Sequence, residues 1–223
     1  MELFLDTFFN LEILREVMPL LLEGLRLTLV LTAVIIPLAA LAGLLIAALQ
    51  SLNNRFLNFV LVGYIDFLRS IPPLVLLIFI YNALPFLGLR LGNFEAVVLA
   101  LVLNGSSFFG EIFRAGIESV PAGQREAARS SGLNAPQALI HVIIPQGARN
   151  VLPDLVTNIL ELTKQTSLAS VVALQELLRS AQIAQGLLFN PTPLVAAALM
   201  YFILLWPLVR IISRMQREVV VIK

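Results

Sequence analysis

The sequence contains no cysteine, a single histidine and only two lysines, Lys164 and Lys223. Without cysteine, the chain forms neither a disulfide bond nor a thiolate metal site. Charge is also scarce, since charged residues make up 13% of the 223 positions and the formal net charge is +1. Such a chain lacks the excess of positive charge with which proteins bind nucleic acid, so we expect no nucleic-acid partner. A soluble domain of this length would need more charged side chains to cover its surface.

Apolar residues make up 59% of the sequence and lie in long runs, as in membrane proteins. Pro72 and Pro73 interrupt the second run. Because adjacent prolines remove two backbone donors, we interpret this run as one discontinuous span. The runs predict five transmembrane spans, at about residues 19–50, 55–87, 93–118, 150–173 and 193–212. We therefore expect an all-α integral membrane protein in which residues 1–223 form a single transmembrane domain.

The basic residues predict the orientation of the spans. With the N-terminus outside, the connections on the inner side hold nine Lys and Arg residues and those on the outer side hold three. The inner nine are Arg55, Arg114, Arg125, Arg129, Arg149, Arg210, Arg214, Arg217 and Lys223. Since basic residues are retained on the cytoplasmic side, we predict that the N-terminus is outside and the C-terminus inside. The polar segment 119–149 is then cytoplasmic and can meet a soluble partner.

Segment 119–149 begins with signals for a short helix. Ser119 can cap it, Pro121 lies in its first turn, and Gly132 can end it in the left-handed conformation. Arg125 and Arg129 are one turn apart on one side of this helix. The small residues of the same helix leave room for another backbone to approach.

A second helix is predicted directly afterwards. Asn134 and Gln137 are three residues apart and resemble a capping box, which would open a helix running toward Pro145. On local evidence alone, the whole segment could instead be an amphipathic connector that lies on the lipid headgroups.

The spacing within this segment resembles a known motif. Glu126, Ala127 and Ala128 are followed after three residues by Gly132, and nine residues later by "VIIP" at 142–145. This pattern resembles the EAA motif in the membrane subunits of ABC importers. The stretches "EIFRAGIESVPAGQREAARSSGLN", "IIPQGARNVLPDL" and "TKQTSL", within about 104–168, resemble the polar amino-acid permeases of the histidine, glutamine and arginine type. Upstream, "YIDFLRSIPPLV" is similar to that family's second span, although the family usually has Gly-Thr-Pro-Leu at 70–73.

The resemblance implies a type I ABC importer permease fold in a bacterial plasma (inner) membrane. It implies a second permease subunit, identical or related, two cytoplasmic ATPase subunits, and an external binding protein that delivers an amino acid. By the same resemblance, the first short helix is a coupling helix that docks on the ATPase. Its candidate residues are Arg125, Glu126, Ala127, Ala128, Arg129 and Gly132. No Gly-x-x-x-x-Gly-Lys-Ser/Thr loop occurs in this sequence, so ATP and Mg²⁺ are expected on the partner ATPase and no cofactor on this chain.

Polar residues at membrane depth are candidates for the substrate path, because each ionised group there costs about 2.5–3.5 kcal/mol. If the fourth helix starts near Val151, Glu161 lies near mid-depth, and Asn104 reaches a similar depth in the third span. Asp66 and Arg69 precede the Pro72 break, where discontinuous transporter helices often place solute sites. The candidates are Asp66, Arg69, Asn104, Glu161, Lys164 and Gln165.

Structural roles compete with this interpretation. Asp66 with Arg69, and Glu161 with Lys164, are three residues apart and could neutralise each other. Asn104 could bond to a neighbouring helix. Glu161 is the strongest candidate, because a mid-depth carboxylate would suit the positively charged part of an amino acid.

Two other function classes remain to be weighed. A carrier or channel driven by an ion gradient could use the same buried charges, but it does not account for the EAA spacing. An intramembrane enzyme would need a nucleophile with a base or a metal cluster, and a chain with one histidine and no cysteine offers few. The sequence leaves open which amino acid is carried, and whether the second permease is identical or related.

Overall fold

The computed structural model of the chain describes residues 6–52 and 54–221, with side chains described as far as 215. Lys223 and the side chain of Arg217, both counted in the orientation argument, lie outside the described residues. The described residues are mostly helical and include no β-strand. The α-helices are α1 (Leu11–Gln50), α2 (Arg55–Ser70), α3 (Pro73–Ala83), α4 (Asn93–Glu118), α5 (Ala122–Ser130), α6 (Ala135–Ala138), α7 (Ile144–Gln165), α8 (Leu177–Leu188) and α9 (Thr192–Val221).

Three of these helices are long and apolar enough to cross a membrane alone: α1, α4 and the 192–215 part of α9. The pair α2 and α3, with the 3₁₀ turn that follows it, forms a fourth candidate span bent by 101° at its break. The predicted break at Pro72 and Pro73 is therefore present, and the described helices give three candidate spans, or four if the bent pair crosses the membrane as one. The predicted span at 150–173 falls on α7 and the 3₁₀ segment Thr166–Val172. α7 does not meet the same test, because several of its side chains are charged or carry amides.

The break between α2 and α3 follows from backbone hydrogen bonding. In an uninterrupted helix the carbonyl of Leu68 would accept the N–H of residue 72, and that of Arg69 the N–H of residue 73. Both positions are proline and have no N–H to give. The Leu68 oxygen instead accepts the side-chain amide of Asn104, with Nδ2 at 3.0 Å. The end of α2 is thus held by a side chain of α4.

The helices pack into two compact units. The first contains residues 1–37, 72–101 and 160–209. An apolar cluster in this unit joins Val17 and Leu21 of α1 to Leu177 and Ala181 of α8. The two helices approach closely at Gly24, where a Cβ atom would lie 2.5 Å from Ser180 Oγ. Burying these side chains stabilises the unit by about 25 cal/mol per Å² of apolar surface.

The second unit contains residues 38–71, 102–159 and 210–223. α1 crosses α4 at Gly43, where an added Cβ would lie 2.7 Å from the backbone nitrogen of Gly110. α4 also crosses α7, where an added Cβ on Gly147 would be 2.4 Å from the carbonyl oxygen of Gly116. Such crossings need glycine because the two backbones are in direct contact. The segment between α4 and α7 therefore begins and ends at one rigid crossing.

Candidate functional site

The start of α5 differs from the prediction. Pro121 itself occupies the cap position, with no side-chain cap, and α5 begins at Ala122. The predicted cap by Ser119 is wrong, because Ser119 lies too far from the first turn and serves the preceding helix instead. Its hydroxyl donates to the carbonyl of Gly116 at 2.7 Å and accepts from Nδ2 of Asn150 at 2.8 Å. Ser119 thus ties the end of α4 to the start of α7.

The end of α5 matches the prediction. Gly132 has φ +89°, in the left-handed region that residues with a Cβ seldom adopt. The N–H of Leu133 then turns back and donates to the carbonyl of Ala128 at 3.2 Å, which satisfies a helix-terminal acceptor. Gly132 therefore ends α5 and reverses the chain toward α6.

The predicted capping box is also present. Asn134 Oδ1 accepts from the N–H of Gln137, and Gln137 Oε1 accepts from the N–H of Asn134, both at 2.9 Å. The helix it opens runs toward Pro145, as predicted, and continues beyond it, because it passes through a π-helical turn, Leu139–Ile143, directly into α7. Pro145 lies in the first turn of α7, where its missing N–H costs little. The coupling segment is thus continuous with the next long helix.

Most side chains of α5 are exposed. Ala128 is the buried residue, with 6% of its surface exposed, whereas Arg125, Glu126, Ala127 and Arg129 are exposed. Arg125 and Arg129 line a cavity of about 920 Å³ within the second unit. We call it the basic cavity. Its walls come from α2, α4 and α6 and from the end of α1.

An ion-pair cluster lies on the α4 wall of the basic cavity. The Arg114 guanidinium contacts the carboxylates of Glu111 and Glu118, the latter at 2.7 Å. This cluster was not anticipated, although the i,i+3 and i,i+4 spacing on one helix face is a signal that could have indicated it.

The predicted substrate-path residues fall into two groups. In the first unit, Lys164 Nζ donates to Glu161 Oε1 at 2.7 Å, and both side chains are about half exposed. The arrangement in which these two charges neutralise each other is therefore the one observed. Next to them, Gln165 Oε1 is buried without a hydrogen-bond partner among the described residues.

The other group lies in the second unit. Asn104 is 1% exposed, and its side-chain amide donates to the Leu68 carbonyl, so it bonds to a neighbouring helix as the structural alternative predicted. Its Oδ1 has no partner in the described part of the chain. Asp66 and Arg69 form no ion pair with each other among these residues. The guanidinium of Arg69 lies 5.2 Å from the ring centroid of Phe108, in a cation–π contact. Asp66, Arg69 and Phe108 line a smaller cavity of about 350 Å³.

A buried carboxylate in the first unit was missed by sequence reasoning. Glu176 caps α8 by accepting the N–H groups of Leu178 and Arg179, and its Oε2 also accepts the hydroxyl of Tyr201 at 2.7 Å. Burial raises the pKa of Glu176 above its ordinary value, and these three donors offset part of that effect. No local pattern indicates this site, because Glu is not a preferred cap residue and Tyr201 lies 25 residues further on.

Comparison with known protein families identifies the family of this chain. The model of the binding-protein-dependent transport system inner membrane component matches residues 35–220. This chain belongs to that family. It is a multi-pass membrane permease, and its relatives are transport components rather than enzymes.

The chain aligns with known permeases over most of its own length and most of theirs. The chain is 37% identical over 193 residues to the probable glutamine ABC transporter permease protein GlnP of Bacillus subtilis (strain 168), covering 84% of this chain and 88% of that one. It is 32% identical to the arginine transport system permease protein ArtQ of the same organism, covering 90% and 92%.

Solved structures agree with the fold. A crystal structure of an amino acid ABC transporter with histidines contains a chain that superposes with a TM-score of 0.85 at 35% identity, covering 92% of this permease and 96% of that chain. The inward-facing MetNI methionine ABC transporter superposes at 0.75 with 21% identity, which supports the fold alone. The predicted type I ABC permease fold is therefore confirmed.

Proposed function

We propose that this permease is the transmembrane subunit of an ATP-driven amino-acid importer in a bacterial plasma membrane. The observation that carries the proposal is the closed coupling segment: α5 has the EAA spacing, ends at a left-handed glycine, and lies between the two helices that cross at Gly116 and Gly147. A carrier driven by an ion gradient has no use for such a cytoplasmic segment.

The proposed topology has five spans, with the N-terminus outside and the C-terminus inside. α7 supplies the fifth span. Its polar side chains favour a helix that faces protein or a water-filled path rather than lipid, since ionisable groups in membranes face the bundle interior. The single transmembrane domain comprises both compact units.

Coupling would proceed by rigid-body displacement. An ATPase that grips the exposed face of α5, at Glu126, Ala127 and the Gly132 turn, moves a segment whose two ends are fixed to one crossing. Asn150 and Ser119 fasten the same junction. Because only short turns separate α5 from α4 and from α6, movement of α5 would be passed to α4 and α7.

Five spans do not readily enclose a translocation path alone, so we propose a second permease, identical or related, across a two-fold or pseudo-two-fold axis. Two ATPase subunits would bind ATP and Mg²⁺, and an external binding protein would deliver the solute. This chain would hold no cofactor of its own.

The proposed solute contacts are the polar groups without a full set of partners. Glu161 would attract the ammonium or guanidinium group of an amino acid, in competition with Lys164 at 2.7 Å. Gln165 Oε1 and Asn104 Oδ1 are buried acceptors still to be satisfied. Arg69 and Asp66, in their 350 Å³ cavity, offer charges of both signs to a zwitterion. The names of the relatives GlnP and ArtQ favour an amino acid as the solute.

Purification and transport assays test the proposal. We expect the tagged permease to bring down an ATPase, and the reconstituted complex to take up amino acid only with ATP and the binding protein. Inactivating the ATPase should stop uptake, while an ionophore that collapses ion gradients should not. Uptake driven by an ion gradient without the ATPase would contradict the proposal.

A further inference from the structure

The basic cavity contains arginines whose charge no carboxylate of the described chain neutralises by an ion pair. Arg69, Arg125 and Arg129 line it and form no ion pair among the described residues. The fourth arginine, Arg114, is already held by two carboxylates. Asp66 is the remaining carboxylate in the lining. Arginines thus outnumber carboxylates in the lining, which favours an anion in the cavity.

The geometry at α5 suits a phosphate group. Arg125 and Arg129 are four residues apart, so their side chains start about 5–6 Å from each other on one helix face. Each guanidinium presents a planar fork of donors that matches phosphate oxygens. Without an anion between them, the two like charges would repel each other.

The rest of the lining is apolar enough for a lipid. Ile65, Ile117 and Ile143 contribute to the walls, and Val62, which also lines the cavity, is 46% exposed. One turn earlier on α2, Phe59 is 79% exposed. Acyl chains could therefore leave the cavity along an apolar helix face, while the headgroup stays inside.

The position of the cavity also fits a lipid headgroup. Its walls include Gln50 and Glu118, the residues at which α1 and α4 end. Both helices are apolar enough to span a bilayer, and headgroups lie where such spans end. Basic pockets between transmembrane helices at the cytoplasmic side are known to suit anionic headgroups.

We propose that the basic cavity binds the phosphate headgroup of an anionic phospholipid through Arg125 and Arg129. Only the choice of leaflet rests on the proposed function, through the orientation given above; the site itself does not depend on it. A bound lipid would connect α5 to the α2 wall of the cavity and would make coupling sensitive to membrane composition.

The test uses the purified transporter with all its co-purifying chains, in nanodiscs of phosphatidylcholine with or without phosphatidylglycerol. Bound lipid is counted by native mass spectrometry after transfer to detergent. Each basic residue near an anionic headgroup strengthens binding by about 5-fold, and two such effects multiply. Arg125→Gln/Arg129→Gln should therefore lower the preference for phosphatidylglycerol by roughly 30-fold. The matched control is Arg149→Gln/Arg214→Gln, which removes two exposed charges that do not line the cavity and should keep the preference.

A second variant narrows the cavity without changing its charge. Ala135→Leu, at an exposed position of the lining, should also lower lipid retention. ATPase co-purification is measured in every sample, so that loss of docking is seen separately. Equal retention in the Arg125/Arg129 variant and its control would overturn the proposal, as would loss of the ATPase with lipid retained. Displacement of the lipid by inorganic phosphate at millimolar concentration would identify a free-anion site and would also overturn it.

Discussion

Replacing Gly147 by alanine should damage coupling more than its small size suggests. The new Cβ would lie 2.4 Å from the carbonyl oxygen of Gly116, whereas ordinary contacts begin at 3.4 Å, so the crossing of α4 and α7 must open by about 1 Å. Overpacking of this kind costs about 1–3 kcal/mol. Replacing glycine by alanine within a helix also stabilises the helix by up to about 1 kcal/mol. A glycine-to-alanine control at a site without a clash measures this gain, so that it can be subtracted.

Gly186→Ala provides that control, because Gly186 lies within α8 and an added Cβ there meets nothing within 4 Å. Thermal unfolding of the two purified complexes should differ by the clash alone, about 1–3 kcal/mol. In proteoliposomes, Gly147→Ala should hydrolyse more ATP per amino acid transported, since the opened crossing passes on less of the movement. If Gly147→Ala matches Gly186→Ala in both stability and coupling, the argument from the rigid crossing is refuted.

Three further outcomes are expected. Gly132→Val should uncouple ATP hydrolysis from transport or detach the ATPase without unfolding the spans, because φ +89° costs a β-branched residue about 1–2 kcal/mol; intact coupled transport would contradict this. Glu161→Gln should reduce uptake of basic amino acids more than neutral ones while assembly persists, and Lys164→Gln should have the opposite bias; wild-type rates for all solutes would show that the pair does not contact them. Because burial raises the pKa of Glu176, the folded chain retains its proton where the unfolded chain has lost it, so this group contributes stability that is present below pH 4.5 and is lost as the pH rises through the raised pKa. Glu176→Gln should remove this part of the pH dependence, and identical pH profiles of unfolding would argue against it.

Local rules predicted the features that depend on neighbours in the chain. The break at Pro72, the left-handed Gly132 and the Asn134 capping box each follow from a few adjacent residues, and the structure confirms all three. The Ser119 cap failed because the cap position moved by two residues, a shift that local preferences do not resolve.

Local sequence patterns do not predict features that depend on residues far apart in the chain. The cap at Glu176 needs Tyr201, and the contact between Gly116 and Gly147 needs two helices to meet. The Glu161–Lys164 pair lies between these cases: its spacing allowed an ion pair, but only the structure shows that the two charges meet rather than face a solute separately.

The double proline between α2 and α3 has a consequence for mutational robustness. Replacing Pro72 or Pro73 alone would restore only one of the two missing N–H groups, so a single substitution would still leave the backbone one hydrogen bond short there. The second proline therefore gives this chain a redundant break. Asn104 adds to that redundancy by occupying the Leu68 carbonyl from another helix. The bend is therefore expected to tolerate sequence drift at either proline, while the amide at 104 is the position at which drift should be least tolerated.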